Sequence, residues 1–322
     1  MTGARMTLAV LSNDRLDPWI NWTTLGPPLL RPLAARGGRL VSPQASPRSW
    51  PGLVRELRGA DSVFWMQQSA RPEWPLVAAS LAAGSATRSA FVVDPWLVDL
   101  PRIALAARLQ RLDPLFVPFS EGAEELVRRH PRGRFEWLPF GVDTEVFTPG
   151  SGERDVFAFW MGRRHEPLHR ALLDYCEARG LLYEYRREGR LLTPRELGEL
   201  AGRSRYFVVT PPLAEDHART GGYSPLVMRY LEGLAAGARL LGVLPGSGEY
   251  ERLLPLDAIL QVDVDGADLA ARLDADADAG HEAATARASR HVRTHHSWAR
   301  RAEQIGERLA TGRPIIQPPP PA

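Results

Sequence analysis

Short apolar runs alternate with helical stretches along nearly the whole chain, and no other sequence feature restricts the fold as strongly. This alternation is typical of doubly wound α/β domains, in which helices cover both faces of a parallel sheet. The runs expected to form strands are Thr7–Ser12, Arg39–Ser42, Ser62–Met66, Ser89–Val93, Leu115–Pro118, Phe135–Leu138, Val156–Trp160, Leu181–Tyr185, Tyr206–Thr210, Ala238–Val243 and Ala258–Val262.

The pattern is interrupted once, at the loop GVDTEVFTPGSGERD, and then starts again. We therefore predict two Rossmann-like domains, residues 1–149 and 150–312, with a boundary near Thr148–Glu153 where Pro and Gly cluster. Residues 313–322 are rich in proline and are expected to be a disordered tail. The expected helices are Leu25–Ala35, Trp50–Arg58, Trp74–Ala83, Pro101–Leu112, Glu121–His130, Leu168–Arg179, Pro194–Gly202, Ser224–Ala236, Ala267–Leu273 and His281–Ala310.

The composition excludes several kinds of chemistry. All 40 basic residues counted as Lys and Arg are arginines, so a Schiff-base lysine and a P-loop lysine are both excluded. Guanidinium groups remain available for bidentate recognition of phosphate or carboxylate. The lone Cys176 excludes an intramolecular disulfide, and its apolar helical surroundings suggest burial. A formal net charge of +2 argues against a general polyanion binder, so no nucleic acid partner is expected.

Other partners and compartments are constrained by what the sequence lacks. The sequence contains no run of about 18 apolar residues, which is the length needed to span a bilayer. The N-terminus reaches an acidic residue too early for a secretory signal, so we expect a cytoplasmic protein. The first strand is not followed by G-x-G-x-x-G, which leaves an NAD-binding domain without support. The acidic segment at Asp274, Asp276 and Asp278 fits a solvated turn better than a calcium loop.

The segment Gly221–Pro255 joins a glycine turn, a helix that carries Glu232 and a second glycine turn. The N-terminus of a helix can bind a diphosphate through its unpaired N–H groups, and a carboxylate further along can accept hydrogen bonds from ribose hydroxyls. The segment is thus typical of a nucleotide-sugar site. An ordinary amphipathic helix packed through Ala235, Ala236 and Gly237 is the alternative interpretation.

Four motifs between about residues 89 and 310 resemble, in order, those of retaining GT-B glycosyltransferases of family 4. They are PFGVDTEVFTP, FWMGRRHEPLHRALLDY, SPLVMRYLEGLAAGARLLG and HHSWARRAEQI. The similarity is to the abbreviated bacterial branch that includes spore-maturation-type glycosyltransferase-like proteins. The resemblance implies two Rossmann-like domains facing across a cleft, with a C-terminal helix that packs back on the first. It also implies transfer of a sugar from a nucleotide diphosphate donor to a small-molecule or glycan acceptor, without a further cofactor. A ribose carboxylate and a cationic diphosphate site are compatible with both UDP- and GDP-type donors. The reaction is expected to be metal-independent, because guanidinium groups and the helix dipole neutralise the diphosphate instead of a divalent ion.

On this resemblance, the donor lies mainly in the second domain. Glu232 corresponds to the second glutamate of the family's E-x7-E motif, which is expected to bind the ribose, and Ser224 replaces the first glutamate. Ser224 either hydrogen-bonds a sugar hydroxyl or simply caps the helix, with Pro225 as its first residue. Glu215 or Asp216 could restore a carboxylate.

The same resemblance assigns the diphosphate to a second group of residues. Arg163 and Arg164 match the family's Gly-Arg pair, but the lysine that follows it there is missing. His169 or Arg170 would then supply the second cation. Gly221 and Gly222 can bring backbone amides close to phosphate, although Gly-Gly is also a common turn.

On the acceptor side, Asp94 ends a predicted strand and is the first candidate for a catalytic base. It could equally position the acceptor or serve as a turn residue before Pro95. Asn13 and Asp14 are weaker candidates of the same kind. Several tryptophans of the first half suit carbohydrate stacking, although core packing explains most buried ones. They are Trp19, Trp22, Trp65, Trp74 and Trp96.

The sequence is compatible with two main functional hypotheses and with a third, weaker one. The first is a nucleotide-sugar-dependent glycosyltransferase with a reduced donor site. The second is a catalytically degenerate GT-B shell that binds a nucleotide sugar or a partner without turnover. The third is peripheral attachment to acidic lipid or nucleic acid through the arginine-rich stretch Arg287–Arg308.

Overall fold

The fold consists of two compact units, which a computed structural model describes. Unit 1 comprises Met1–Phe140 and Trp298–Gln317, and unit 2 comprises Gly141–Ser297 and Pro318–Ala322. Within the described ranges, no helix is both long and apolar enough to cross a membrane. The structure describes residues 7–11, 24–41, 50–185, 192–215, 217–246, 248–277, 279–317 and 320–321.

Unit 1 contains a six-stranded parallel sheet. Its strands are β1 (Leu8–Leu11), β2 (Gly38–Val41), β3 (Ser62–Gln67), β4 (Thr87–Val92), β5 (Leu112–Val117) and β6 (Phe135–Trp137), in the order β2-β1-β3-β4-β5-β6. The helices are α1 (Gly26–Ala35), α2 (Trp50–Leu57), α3 (Trp74–Ala82), α4 (Leu100–Gln110) and α5 (Ser120–Arg129). Strands β1 and β3 are buried along their whole length, because helices cover both faces of a parallel sheet.

Unit 2 contains a five-stranded parallel sheet. Its strands are β7 (Val156–Trp160), β8 (Tyr183–Tyr185), β9 (Ser204–Val209), β10 (Arg239–Gly242) and β11 (Ile259–Gln261), in the order β11-β10-β9-β7-β8. Its helices are α6 (Glu166–Arg179), α7 (Pro194–Arg203), α8 (Pro212–Glu215), α9 (His217–Thr220), α10 (Met228–Ala235), α11 (Gly248–Leu253), α12 (Leu269–Ala277) and α13 (Glu282–His295). The predicted fold class is confirmed, because the chain forms two Rossmann-like units in tandem.

The C-terminal helix, α14 (Trp298–Thr311), belongs to unit 1, as the fold prediction expected. Arg301 fixes it there. The side chain of Arg301 is fully buried, and its Nε donates hydrogen bonds to the backbone oxygens of Pro139 (2.8 Å) and Phe140 (3.2 Å). Burial lowers the pKa of Arg301 to about 9. Around it, Trp298 packs edge-on against Phe91 and Phe140.

The boundary between the two units lies earlier in the sequence than the cluster of Pro and Gly residues indicates. The chain enters unit 2 at Gly141, before the segment 148–153, because Pro139 and Phe140 are held by α14. The predicted helix His281–Ala310 is also wrong as a single helix, since it breaks at residues 296–297. There Val142 donates its N–H to the His296 oxygen (2.9 Å) and pairs with Ser297 as an isolated parallel bridge.

Two further expectations differ from the structure for related reasons. The acidic segment is not a solvated turn: α12 continues to Ala277, and Asp276 is buried, accepting a hydrogen bond from the Tyr206 hydroxyl (2.8 Å) and pairing with Arg239 (3.0 Å). The start of the expected disordered tail is ordered. Gln304 Nε2 donates to the Ile316 oxygen (2.7 Å), and Gln317 Nε2 donates to the Trp137 oxygen (2.9 Å).

Replacing Arg301 with Met tests how α14 is held. The variant loses the charged donors to Pro139 and Phe140 and leaves their carbonyl oxygens without those partners. Hydrogen bonds from a charged group contribute about 1.5–3 kcal/mol each, so we expect the free energy of unfolding to fall by about 2–3 kcal/mol. Urea denaturation measures it. The control is Arg300→Met, one residue earlier on the exposed side of α14. Equal stabilities of the two variants would contradict this role.

Cys176 provides a chemical probe of the core of unit 2. Its side chain is buried, and burial raises the pKa of the thiol to about 12. Because the thiolate is the reactive form, at pH 8 the folded protein should react with a disulfide reagent roughly three orders of magnitude more slowly than the urea-unfolded chain. Comparable labelling rates in the two states would show that the thiol is accessible in the fold.

Candidate donor site at the carboxyl edge of the second sheet

The strand order of unit 2 identifies one edge of its sheet as the place for a ligand. From β7 the chain passes to β8 on one side and then crosses to β9 on the other, so the direction of winding reverses between β7 and β9. Ligands of open α/β sheets bind beyond the carboxyl ends of the strands at such a reversal. The connections that leave β7 and β9 here are residues 161–165 and residues 210–227, and the second contains the short helices α8 and α9.

The loop after β7 is shaped by Gly162. Its φ of +105° is a conformation that side chains rarely permit, and a Cβ placed on it would lie 3.4 Å from Arg229 Nε. The next residue, Arg163, is exposed, and its backbone oxygen accepts a hydrogen bond from Trp160 Nε1 (2.9 Å). The loop therefore presents Arg163 at the sheet edge and leaves room for a second guanidinium beside Gly162.

That second guanidinium belongs to Arg229, in the first turn of α10. Its Nη1 donates to Glu232 Oε2 at 2.5 Å, a pair separated by three residues on one helix face. The Glu232 side chain is 4% exposed, whereas that of Arg229 is 38% exposed. The buried carboxylate of Glu232 thus fixes the position of the more exposed Arg229 guanidinium. Arg229 was missed by the sequence analysis, although the spacing R-Y-x-E contained the signal.

The loop after β9 contains both glycines of the predicted turn in the left-handed conformation, Gly221 at φ +66° and Gly222 at φ +86°. The Gly221 N–H is already used, since it donates to the His217 oxygen (3.0 Å) of α9. A Cβ placed on Gly222 would meet nothing within 4 Å, so that residue borders open space. Of the two glycines, Gly222 is the one with room for a ligand.

The expectation that Ser224 caps the following helix is wrong, because α10 begins at Met228, after Val227. Residues 224–227 are instead held extended by α11. Glu249, which is buried, accepts a hydrogen bond from the Leu226 N–H (3.0 Å), and the Tyr250 hydroxyl donates to the Pro225 oxygen (2.8 Å). Ser224 Oγ is buried and has no hydrogen-bond partner among the described residues. A buried hydroxyl without a hydrogen-bond partner is costly and therefore uncommon in folded proteins.

The remaining cation candidates lie around α6, and each has another contact. Arg164 stacks on the ring of Tyr185, 4.8 Å from its centroid, and the exposed Arg170 pairs with Glu166 (2.8 Å). His169 is buried, with Nδ1 2.8 Å from the Tyr183 hydroxyl. Burial, reinforced by the charge of Arg164, lowers the pKa of His169, which keeps the ring neutral near pH 7. Arg163, which directly follows Gly162, and Arg229, which lies beside Gly162, are the guanidinium groups associated with the reversal point.

In unit 1, Asp94 follows β4 at the carboxyl edge of the sheet. It is partly buried, and its N–H donates to the Gln68 oxygen (2.8 Å) at the end of the neighbouring β3. Gln110 steadies this edge by donating to Gln67 Oε1 (3.0 Å) and accepting from the Glu73 N–H (2.8 Å). Asp94 thus lies at the carboxyl edge of the first sheet, and its role on the acceptor side stays a prediction.

The other acceptor-side candidates divide into two groups. Trp65 and Trp96 are buried, and Trp74 is 49% exposed. Core packing therefore accounts for the first two. The remaining candidates lie outside the described residues: Asn13, Asp14, Trp19, Trp22, Asp216 and the side chain of Glu215.

Comparison with known proteins supports a glycosyltransferase-type family for the second half of the chain. Residues 163–307, a little under half of the chain, match a family model described as glycosyl transferase-like. The matched segment begins at Arg163 and contains Gly221, Gly222, Ser224, Arg229 and Glu232. No curated protein matches the chain.

Among solved structures, two of the matches are remote. One is the catalytic subunit of cobaltochelatase from Mycobacterium tuberculosis, 15% identical over 65% of this chain, with a TM-score of 0.22. The chain spans only 18% of the length of that subunit. The other is a conserved domain protein from Vibrio cholerae O1 biovar El Tor, 12% identical over 87% of each chain, with a TM-score of 0.21.

The buried state of His169 predicts a pH dependence of stability. Its pKa is lowered in the folded protein, so on acidification from pH 7 the unfolded chain binds the proton first and stability falls. Urea denaturation between pH 7 and pH 5 should show a smaller loss for His169→Gln than for the parent. His291 is partly buried and its pKa is also lowered, so part of the loss of stability remains in the variant. His217→Gln, at an exposed histidine, is the control, and an unchanged slope in the His169 variant would contradict the assignment.

Proposed function

We propose that the protein is a nucleotide-sugar-dependent glycosyltransferase whose donor diphosphate binds at the edge where β7 and β9 end. The observation that carries the proposal is the pair of arginines there. Arg163 follows β7, and Arg229 lies beside Gly162 with its guanidinium anchored by Glu232. Two guanidinium groups can neutralise a diphosphate and stabilise the charge that develops on it as the leaving group.

In this proposal, Arg229 takes the place of the family's missing lysine. Its advantage over the candidates on α6 is its position beside Gly162, since His169 is buried and Arg170 lies on an exposed helix face. Glu232 can accept a ribose hydroxyl through its second oxygen while Oε2 keeps its bond to Arg229. The Ser224 hydroxyl and the Gly222 turn would meet the sugar or phosphate oxygens. UDP and GDP donors both fit this chemistry.

We further propose that the reaction retains configuration, following the family resemblance, and that it is metal-independent, because guanidinium groups neutralise the diphosphate instead of a divalent ion. The sugar–phosphate bond breaks, the acceptor oxygen forms the new bond to the same carbon, and the proton of the acceptor passes to the leaving phosphate or to Asp94. Arg163 and Arg229 stabilise the departing nucleoside diphosphate. The role of Asp94 is either to receive that proton or to orient the acceptor hydroxyl.

The second candidate function is a nucleotide-sugar-binding protein without turnover. The observation in its favour is Ser224, which stands where the family has a carboxylate and cannot stabilise developing positive charge. The two candidates share the donor site and differ only in whether the bound nucleotide sugar is consumed.

The first experiment is thermal stabilisation by UDP, GDP and their sugar conjugates. Ligands that bind the folded state raise the melting temperature, so one nucleotide class should give a shift. Loss of a charge-assisted contact to phosphate costs about 1.5–3 kcal/mol, so Arg229→Gln and Arg163→Gln should each weaken binding by about 10- to 100-fold. The matched control is Arg195→Gln, which removes an exposed Arg–Glu pair on α7. No shift with any nucleotide, or equal shifts in all variants, would overturn the donor site.

Product analysis then separates the two candidate functions. The nucleotide that gives the shift is incubated as its radiolabelled sugar conjugate, with and without a pool of candidate acceptors. Release of the nucleoside diphosphate that depends on Arg229 supports the enzyme. Binding without any release or transfer, even after long incubation, supports the binding protein.

A further inference from the structure

Unit 2 contains a cationic cavity, and its lining residues are not part of the proposed donor site. It has a volume of about 250 Å³ and is bordered by one face of α13 and by Pro255 and Pro321. The α13 residues are Arg287, Arg290, His291, Thr294 and His295. Their spacing of three and four positions places all five along one stripe of the helix.

The charges along this stripe are only partly balanced. Arg287 pairs with the carboxylate of Asp257. Arg290 is exposed and has no ion-pair partner among the residues that the structure describes. Arg293, by contrast, is engaged on another face, where its Nη1 donates to the Thr144 (2.9 Å) and Phe147 (3.0 Å) oxygens. The guanidinium of Arg290 therefore gives the cavity a positive charge that no neighbouring carboxylate balances among the described residues.

Two histidines, His291 and His295, also border the cavity. The His291 and His295 rings lie 4.9 Å apart between centroids, and His291 and His296 lie 5.4 Å apart. His291 Nε2 is buried and has no hydrogen-bond partner among the described residues. A metal ion is not the ligand that this cluster indicates, because the described part of the chain contains no group of three His, Cys, Asp or Glu side chains placed to hold one.

We propose that this cavity on α13 binds the phosphate group of a phosphorylated small molecule. The guanidinium of Arg290 supplies a planar set of donors that matches phosphate oxygens, and the Thr294 hydroxyl and a histidine N–H add donors along the stripe. The volume suits a phosphate group with a small organic substituent. This site is separate from the proposed donor site, since it shares none of the residues of the β7 and β9 loops.

The test is isothermal titration calorimetry of the full chain with inorganic pyrophosphate. Pyrophosphate should also occupy the proposed donor site, so the parent protein should bind two equivalents. Arg290→Gln should weaken one of them by at least about tenfold, and Thr294→Ala should weaken the same one to a smaller extent. Arg229→Gln should affect only the other. Both test positions on α13 are exposed, so the variants should fold, and Arg102→Gln on α4 is the matched exposed control.

The variants also make the two proposals independent. If the donor site is wrong, the Arg229-dependent equivalent disappears while the Arg290-dependent one remains. A parallel arm uses sedimentation with vesicles that contain an anionic phospholipid. Arg290-dependent binding of pyrophosphate supports the small-molecule site. Binding that occurs only to vesicles, or pyrophosphate binding that is equal in the parent and Arg290→Gln, overturns it, as does the absence of an Arg290-dependent equivalent.

Discussion

The parallel pairing of β7 with β9 is the interaction on which the candidate site depends. Ala158 pairs with Tyr206 and Phe159 with Phe207, so the two strands end side by side. Connections that begin about fifty positions apart in sequence, after Trp160 and after Val209, therefore leave the sheet at the same edge. The pairing also determines where α10 packs: a Cβ on Gly233 would lie 2.7 Å from the Phe207 ring, so the helix lies directly on β9 and carries Arg229 to Gly162.

The absence of lysine gives arginine two different tasks in this chain. Some guanidinium groups bind backbone oxygens in the interior: Arg301 holds Pro139 and Phe140, and Arg154 donates to the Ala236 oxygen (3.2 Å). Others stand at the surface: Arg229 is paired with the carboxylate of Glu232, whereas Arg290 is exposed and has no ion-pair partner among the described residues. The guanidinium group suits both tasks, because its five N–H donors lie in one plane and can bind several carbonyl oxygens or several phosphate oxygens at once.

The candidate site was predicted from the sequence only in its outline. The position of Glu232 on a buried helix face and of Arg163 after β7 could be read from motif spacing. Arg229, the partner of Glu232, was not identified, because an arginine three residues before a glutamate on a helix can equally well be exposed to solvent. His169 illustrates the opposite error. Its place in an Arg-rich motif suggested a cation, but the rings of Tyr183, Tyr185 and Trp160 surround it and burial keeps it neutral.

The sequence by itself determined the two parallel sheets, since buried strands need continuous apolar runs and crossover helices need their own period, and both are local patterns. Tertiary structure alone decided where several elements end. Helix α10 starts at Met228 because Glu249 and Tyr250 hold the preceding residues extended, and the last helix belongs to unit 1 because Arg301 bonds to Pro139. These are hydrogen bonds between residues 23 to 162 positions apart, and no local pattern encodes such a distance.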